Sequence, residues 1–341
     1  MMSEHLTSSS DLKRSVSGHA TPSVTVCVCT RNRNHYVSTC LDSLRSQTVG
    51  LDAFSVIVVD SDSSAETAAG LRDMVATLRN ARLLRIHQPG LSLARNTAVR
   101  SASGDYVAFI DDDAIAAPDW IEQIQRAASE QQPPPAVLSG RTLPIWEAPL
   151  PDWWPQSLRG VLTITEWEGS GEYRTPEVPA HIGPYGVNLV LERKALLAIG
   201  GFAESLGRDG DRLLSDEDVH VAWMLQDSGR SARHDARIVV SHHIQAARLT
   251  PVWLLQRQYW QGVSTVVTRR MLHQSADIWR EFPRRLAVTL LFAPAALIPR
   301  SSIHLMGLRW RHAYASGYVR AVLGRLGMGR VTDAVPIGRT A

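Results

Sequence analysis

Four short apolar runs in the first third of the chain constrain its fold more than any other feature. They are VTVCVCT at 24–30, FSVIVVD at 54–60, ARLLRIHQ at 81–88 and YVAFIDDD at 106–113. Each is continuous rather than alternating, the pattern of a strand buried on both faces. Helical stretches at about 36–47, 65–80 and 91–102 separate them. In the last of these, Leu91, Ala94, Ala98 and Val99 recur at near-helical spacing. Strands alternating with helices predict an α/β chain with a mostly parallel, doubly wound sheet and helices on both faces. In such sheets the ligand lies beyond the carboxyl ends of the strands. The polar clusters TRNRN, DSDSS and DDD follow three of the runs. They are therefore expected to gather on one edge as one site.

The last cluster has the sharpest chemistry. Asp111, Asp112 and Asp113 stand side by side where a buried strand ends. Like charges there repel and resist desolvation. A hard divalent cation, Mg²⁺ or Mn²⁺, relieves both problems and also bridges diphosphate oxygens. A solvated acidic turn is the structural alternative.

Beyond residue 133 the character changes. QQPPPAV, APLPDWWPQ and GSGEY are rich in Pro, Gly and Trp and read as strands and loops inserted over one face. YGVNLVLERKALLAIGGF returns to a strand and a short helix that stops at Gly200–Gly201. SDEDVHVAWMLQDSGR reads as a helix start, with Ser215 as N-cap and Asp218 three residues on, close to a capping box. ARIVVSHH is a last buried strand. Residues 251–330 read as mostly helical, with Trp253, Tyr259, Trp260, Trp279 and Trp310 among many arginines.

Charge is unevenly placed. From Arg257 to the end there are 13 Arg against three acids, within a net charge of +3 for the whole chain. That half suits an anionic surface such as phospholipid, or a polyphosphate. The stretch RRLAVTLLFAPAALIPR at 284–300 is apolar but short for a membrane span and carries two prolines. It reads as an interfacial or re-entrant segment, with an internal hairpin core as the alternative. Three cysteines, Cys27, Cys29 and Cys40, give no disulfide framework, and an apolar content of 44% excludes a disordered chain. Residues 1–22 read as a disordered tail without an apolar leader segment, which makes the cytoplasm the expected location.

The chain resembles family 2 glycosyltransferases of the GT-A fold over about residues 23–245. The resemblance is carried by VTVCVCTRNR, VIVVDSDSS, GLSLARNTAVRSASGDYVAFIDDD, GVNLVLERKALLAIGGF and LSDEDVHVAWMLQDSG, in that order. It implies transfer of a sugar from a nucleotide diphosphate donor to an acceptor, with Mn²⁺ or Mg²⁺ as cofactor. It also implies residue roles. Thr30 and Arg31 would touch the nucleotide, and Asp60 would accept a hydrogen bond from the base, commonly uracil. Asp62 departs from the family's usual Asn or Gly. Arg95 would approach the base or phosphates, with a structural ion pair as its alternative. Asp111 and Asp113 bracket the family's DxD motif. The earlier carboxylates hold the ribose and Asp113 is the principal metal ligand, with Asp111 beside it and Asp112 able to share either task.

In the second acidic cluster Asp218 is the expected general base and Glu217 its runner-up. Asp216 is the helix-start charge. His242 is an expected metal or diphosphate contact, with His243 as the alternate. Asn188 would face the donor sugar or acceptor, and Trp153 and Trp154 are candidates for stacking on sugars. RLTPVWLLQRQYWQGVST resembles the tail of bacterial enzymes that build surface polysaccharides or glycolipids. The basic region from 246 to 341 is thus a candidate membrane-docking element at the inner face of the plasma membrane.

The expectation is an inverting, metal-dependent transferase using a UDP-sugar and a polysaccharide or lipid-linked acceptor, with no nucleic acid partner. A nucleotidyltransferase would share the fold class but would need a Gly-rich, Lys-containing loop, and TRNRNHYV has neither residue. A non-catalytic nucleotide-sugar or lipid-binding protein is the third reading.

Overall fold

The structure, a computed structural model, describes residues 21–208 and 213–324. The expected tail at 1–22 lies almost wholly outside the described residues. The four apolar runs form the strands β1 (Val24–Thr30), β2 (Phe54–Ser61), β3 (Ala81–Ile86) and β4 (Tyr106–Asp111). β1 pairs in parallel with β2 on one side and β4 on the other, and β2 pairs in parallel with β3. Between them lie α1 (Asn34–Arg45), α2 (Ala65–Ala76) and α3 (Leu91–Ser101). These continuous runs are buried on both faces, as their pattern requires. Val26, Val28, Val56 and Val58 point into one core with Leu41, Leu44 and Leu71. Cys27, Ile57 and Val59 point into a second core with Ala94, Ala98 and Val99. Each large apolar side chain buried this way contributes roughly 1.5–3 kcal/mol.

After β4 the sheet continues with β5 (Ala114–Ala116), α4 (Trp120–Ser129), β6 (Val137–Trp146), the short β7 (Gly171–Glu172) and β8 (Asn188–Glu192). Then come α5 (Arg193–Ala198), α6 (Glu217–Asp227) and β9 (Ala232–Ile244). The order is β3-β2-β1-β4-β8-β6-β9-β5, with β7 on β9. β8 runs antiparallel to both β4 and β6, and β5 and β7 run antiparallel to β9. The other six strands share one direction, so the sheet is mostly parallel. Register aligns the strand ends: Thr30 lies opposite Asp60, and Cys29 opposite Asp111. The short β5–β9 pairing sets Ala114 opposite His242, which delivers the histidine to the aspartates from the far side of the sheet.

The C-terminal helices are α7 (Pro251–Met271), α8 (Ser275–Leu291) and α9 (Met306–Leu323). Thr250 caps α7 by accepting from the Trp253 N–H, with Pro251 in the first turn. Two shared apolar cores join these helices to the sheet domain. One holds Leu206 and Leu214 with Val263, Val266 and Tyr318, and the other holds Trp154, Leu162 and Ile244 with Leu254 and Met306. α7 and α9 cross backbone to backbone. A Cβ on Gly262 would lie 2.1 Å from the Tyr314 carbonyl oxygen, and one on Gly317 would lie 2.0 Å from that of Tyr259. No described helix is long and apolar enough to cross a membrane.

Gly317→Ala should therefore push α9 off α7 and cost about 1–3 kcal/mol, read as a lower midpoint of chemical unfolding. Gly50→Ala is the control, since a Cβ there meets nothing within 4 Å. It should move stability by no more than about 0.5 kcal/mol.

Candidate active site

A cavity of about 1380 Å³ opens beyond the carboxyl ends of β1 and β4. Thr30, Arg31 and the three aspartates wall one side, and Asp216, Glu217 and Asp218 wall another. The inserted segment 156–167 and the C-terminal helices, through Arg257, Gln261 and Tyr314, supply the rest of the lining.

Arg95 ties the two acidic groups together. It projects from α3, is 3% exposed, and places Nη1 2.7 Å from Glu217 Oε1 and Nη2 3.6 Å from Asp111 Oδ1. The rings of Phe109 and Phe202 lie 5.8 and 5.4 Å from its guanidinium carbon. Gly186 makes room, since a Cβ there would lie 2.2 Å from Arg95 Nη2. Burial and the neighbouring Asp218 push the Glu217 carboxyl above its ordinary value, against the pull of Arg95.

Asp218 is arranged differently from the expected capping box. Asp216, not Ser215, is the N-cap of α6, in left-handed backbone (φ 75°), and no side chain caps the helix. The Ser215 hydroxyl donates to Asp216 Oδ1 at 3.0 Å and Gln261 Oε1 at 3.3 Å. Asp218 Oδ2 accepts the Gly186 N–H at 2.7 Å and Oδ1 accepts the Val219 N–H at 2.8 Å. A loop N–H from the β8 side has thus taken the carboxylate that the box would have used. It leaves Asp218 half-buried at the cavity wall.

The three aspartates differ. Asp112 is buried, accepts the Thr30 hydroxyl at 2.7 Å and pairs with Arg33 Nη1 at 2.7 Å. Asp113 is 2% exposed and pairs with Arg33 Nη2 at 2.6 Å and Arg248 Nη2 at 3.3 Å. Gln245 adds a hydrogen bond at 3.1 Å. Burial opposes ionisation of Asp113, but His242, Arg248 and Arg33 together hold its carboxyl well below the usual carboxylate range. Burial raises Asp112, because one of two adjacent buried carboxylates must give way.

His242 joins Asp111 and Asp113 in a group whose ligand atoms lie within 4.8 Å of one another. Its Nδ1 is 3.2 Å from Thr163 Oγ1, and that hydroxyl spends its proton on the Leu162 carbonyl at 2.6 Å. Thr163 then accepts from Nδ1–H, so Nε2 is the nitrogen turned to Asp113. Nε2 is buried, has no hydrogen-bond partner, and lies 3.2 Å from Asp113 Oδ1. At that distance Nε2 meets Asp113 either as an N–H donor or through a cation shared with the carboxylate. Two carboxylates and an imidazole so placed fit Mn²⁺ or Mg²⁺. His243 faces elsewhere, with Nδ1 3.7 Å from Glu147 Oε1.

Of the other expected residues, Arg31 lines the cavity and Asp60, Asn188, Trp153 and Trp154 do not. Asp60 is fully buried; Oδ1 accepts the Ser63 N–H and Oδ2 lies 3.4 Å from Arg85. It does not line the cavity. Asn188 is 1% exposed and saturated by the Arg141 and Ile238 carbonyls and the Trp120 indole N–H. It fastens β8 to its neighbours rather than facing a sugar. Trp154 is 3% exposed inside a core and stacks with Trp253, and Trp153 packs against it. Packing, not sugar stacking, accounts for both. Arg31 lines the cavity and lies 3.9 Å from Asp62. Asp62 itself has φ 62°, the left-handed region in which Asn and Gly are at ease. The pattern TRNR singles out Arg31, whereas Arg33, Arg248 and Arg257 gain their roles only from tertiary contacts and the cavity wall.

The model of the family described as glycosyl transferase family 2 matches residues 25–170. Similar proteins include the glucosyl-dolichyl phosphate glucuronosyltransferase of Haloferax volcanii, 29% identical over 261 residues, 75% of this chain and 79% of that one. Residues 25–170 are those of a family 2 glycosyltransferase. This glycosyltransferase is also similar to the succinoglycan biosynthesis protein ExoM of Rhizobium meliloti, 28% identical over 70% of this chain and 72% of that one. Among solved structures it resembles the mannosyltransferase PcManGT of Pyrobaculum calidifontis in complex with GDP-Man and Mn²⁺. The identity there is 18% and the TM-score 0.56, over 89% of this chain and 88% of that one. It also resembles S. aureus TarS 1–349 in complex with UDP, at 16% identity and TM-score 0.52, over 87% and 90% of the two chains. The fold is GT-A, and the chain is an enzyme.

Arg95→Met should leave Glu217 buried beside Asp218 without its cation and cost about 3–5 kcal/mol in chemical denaturation. Arg95→Met with Glu217→Gln, which removes the stranded charge, should recover most of that loss. A double variant no more stable than the single one would show that the ion pair is not the source.

Proposed function

We propose that this glycosyltransferase inverts the anomeric centre of a nucleotide diphosphate sugar, with UDP the expected nucleotide, using a divalent cation. The observation that carries the reading is that both acidic groups wall one cavity with Arg95 braced between them. Asp111, Asp113 and His242 would hold Mn²⁺ or Mg²⁺, and Thr30, Arg31 and Asp112 would meet the nucleotide. The bound cation would supply positive charge against the diphosphate. Across the cavity Asp218 is the base. The acceptor oxygen bonds to the anomeric carbon on the face opposite the diphosphate and loses its proton to Asp218. The bond from that carbon to the phosphate oxygen breaks, and its electron pair stays on the diphosphate. Glu217 is poorly placed for the task, since it is buried and engaged by Arg95. Gly186 and Val219 orient Asp218 from behind.

The acceptor is proposed to be lipid-linked or a growing polysaccharide, met at a membrane surface on the cytoplasmic side. Every exposed large apolar side chain among the described residues lies between Val252 and Leu323. Leu290, Leu291 and Leu297 are 67, 72 and 88% exposed, and Arg280, Arg284 and Arg300 stand near them in sequence. Apolar side chains flanked by arginines suit the surface of an anionic bilayer. The same helices wall the cavity through Arg257, Arg285 and Tyr314.

Asp218→Asn should lower sugar transfer by about 10²–10⁴-fold while UDP binding with Mn²⁺ is unchanged, measured by released UDP and by titration calorimetry. Transfer at the wild-type rate by that variant would remove Asp218 as base. Charging the apolar band with Leu290→Glu, Leu291→Glu and Leu297→Glu should weaken binding to phosphatidylglycerol vesicles by about tenfold or more, at 1.4 kcal/mol per decade. Undiminished vesicle binding would count against the docking surface.

A further inference from the structure

We infer that Arg257 seats a phosphate group carried by the acceptor. This deepens the transferase reading and rests on it.

The starting point is how the arginines of the cavity are paired. Arg33 holds Asp112 and Asp113, Arg95 holds Glu217, Arg159 holds Glu166 at 2.8 Å, Arg248 holds Asp113, and Arg285 holds Glu281 at 2.8 Å. Arg257 differs. Among the described residues no carboxylate lies within 4 Å of it, and its Nη1 is buried without a hydrogen-bond partner. A buried guanidinium N–H left unpaired is costly, and such donors are found where a ligand completes them.

Acids are not scarce around it. Asp216 is taken by Gln261 Nε2, one helical turn along α7, at 2.9 and 3.0 Å. Asp218 is taken by the backbone N–H groups of Gly186 and Val219, and Glu217 by Arg95. Neutral donors satisfy two of the three carboxylates, so among the described residues Arg257 Nη1 is left without a partner.

Its surroundings place it on the acceptor side. Burial, then Arg208, lower the Arg257 guanidinium's pKa, while Asp216, Glu217 and Asp218 raise it. For Arg248 the anions that matter are Asp113 and Asp111, the cation group. Arg208 acts on both arginines, and the geometric mark of Arg257 is its place one turn before Gln261, which holds Asp216 beside the base. Arg248 stands where the donor diphosphate would lie, and Arg257 stands by the base. Arg208 lines the wall as well, so a doubly charged phosphate suits the local field better than a single carboxylate. Arg285, Trp310 and Tyr314 continue the wall from the helices that carry the exposed leucines. An acceptor with its phosphate at Arg257 has a path for an apolar tail toward that surface.

The test is titration calorimetry on the full chain saturated with UDP and Mn²⁺, so that the donor side is filled. The probes are octyl phosphate and octanol, against wild type, Arg257→Gln and Arg257→Lys. Wild type should prefer the phosphate by about tenfold or more, the value of one charge-assisted hydrogen bond. The preference should vanish in the Gln variant and survive in part in the Lys variant, which keeps a cation at the same place. UDP affinity, measured without octyl probes, should be the same in all three. No preference in wild type, or a preference that persists in Arg257→Gln, overturns the inference. So does a Gln variant that loses UDP affinity but still prefers the phosphate, since its guanidinium then serves the donor. Failure of wild type to bind either UDP or GDP would remove the transferase reading and this inference with it.

Discussion

One buried guanidinium makes the rest of this site possible. Carboxylates do not enter a protein interior unaccompanied, because desolvation favours their neutral forms. Arg95 lies between Asp111, at the end of a central strand, and Glu217, which starts a helix 122 residues after Arg95 itself. Phe109 and Phe202 keep water from its flanks, which strengthens both attractions. The two halves of the chain are joined where their chemistry has to meet. A hydrophobic contact at the same place would join them equally well, but it would not hold negative charge on both sides of a substrate.

The same economy runs through the cavity. Each carboxylate has a defined partner, and the kind of partner differs with position. Charged partners, Arg33 and Arg248, gather on Asp113, while neutral ones, Gln261 and the Gly186 N–H, gather on Asp216 and Asp218. An arginine partner does not by itself decide the outcome: Asp113 is held as an anion by His242, Arg248 and Arg33, whereas burial keeps Asp112 and Glu217 raised beside Arg33 and Arg95.

Much of the fold is legible in the chain, and the reasons are physical. A continuous apolar run such as VIVV must be buried on both sides, so strand identity and the polar edge follow directly. Asp111, Asp113 and His242 meet as expected because parallel register and the β5–β9 pairing leave them nowhere else to go. Burial of individual side chains is less legible. Asn188 and Trp154 look available in one dimension, and only tertiary packing reveals that each is already saturated or enclosed. The Ser215 pattern has the spacing of a cap, but a long-range N–H from Gly186 outcompetes the local partner. Arginines are hard to rank when they carry nearly all the positive charge, and Arg33, Arg248 and Arg257 acquire meaning only through what stands opposite them.

The contact between Thr163 and His242 has a wider consequence. Thr163 sits at the end of a 3₁₀ turn in the inserted segment that roofs the cavity, and its hydroxyl engages the imidazole nitrogen opposite the one that faces Asp113. Ion capture at the strand edge and the posture of the roof are therefore not independent variables. By thermodynamic reciprocity, a ligand that steadied the roof would tighten binding of an ion held by His242, and the ion would tighten binding of that ligand by the same factor.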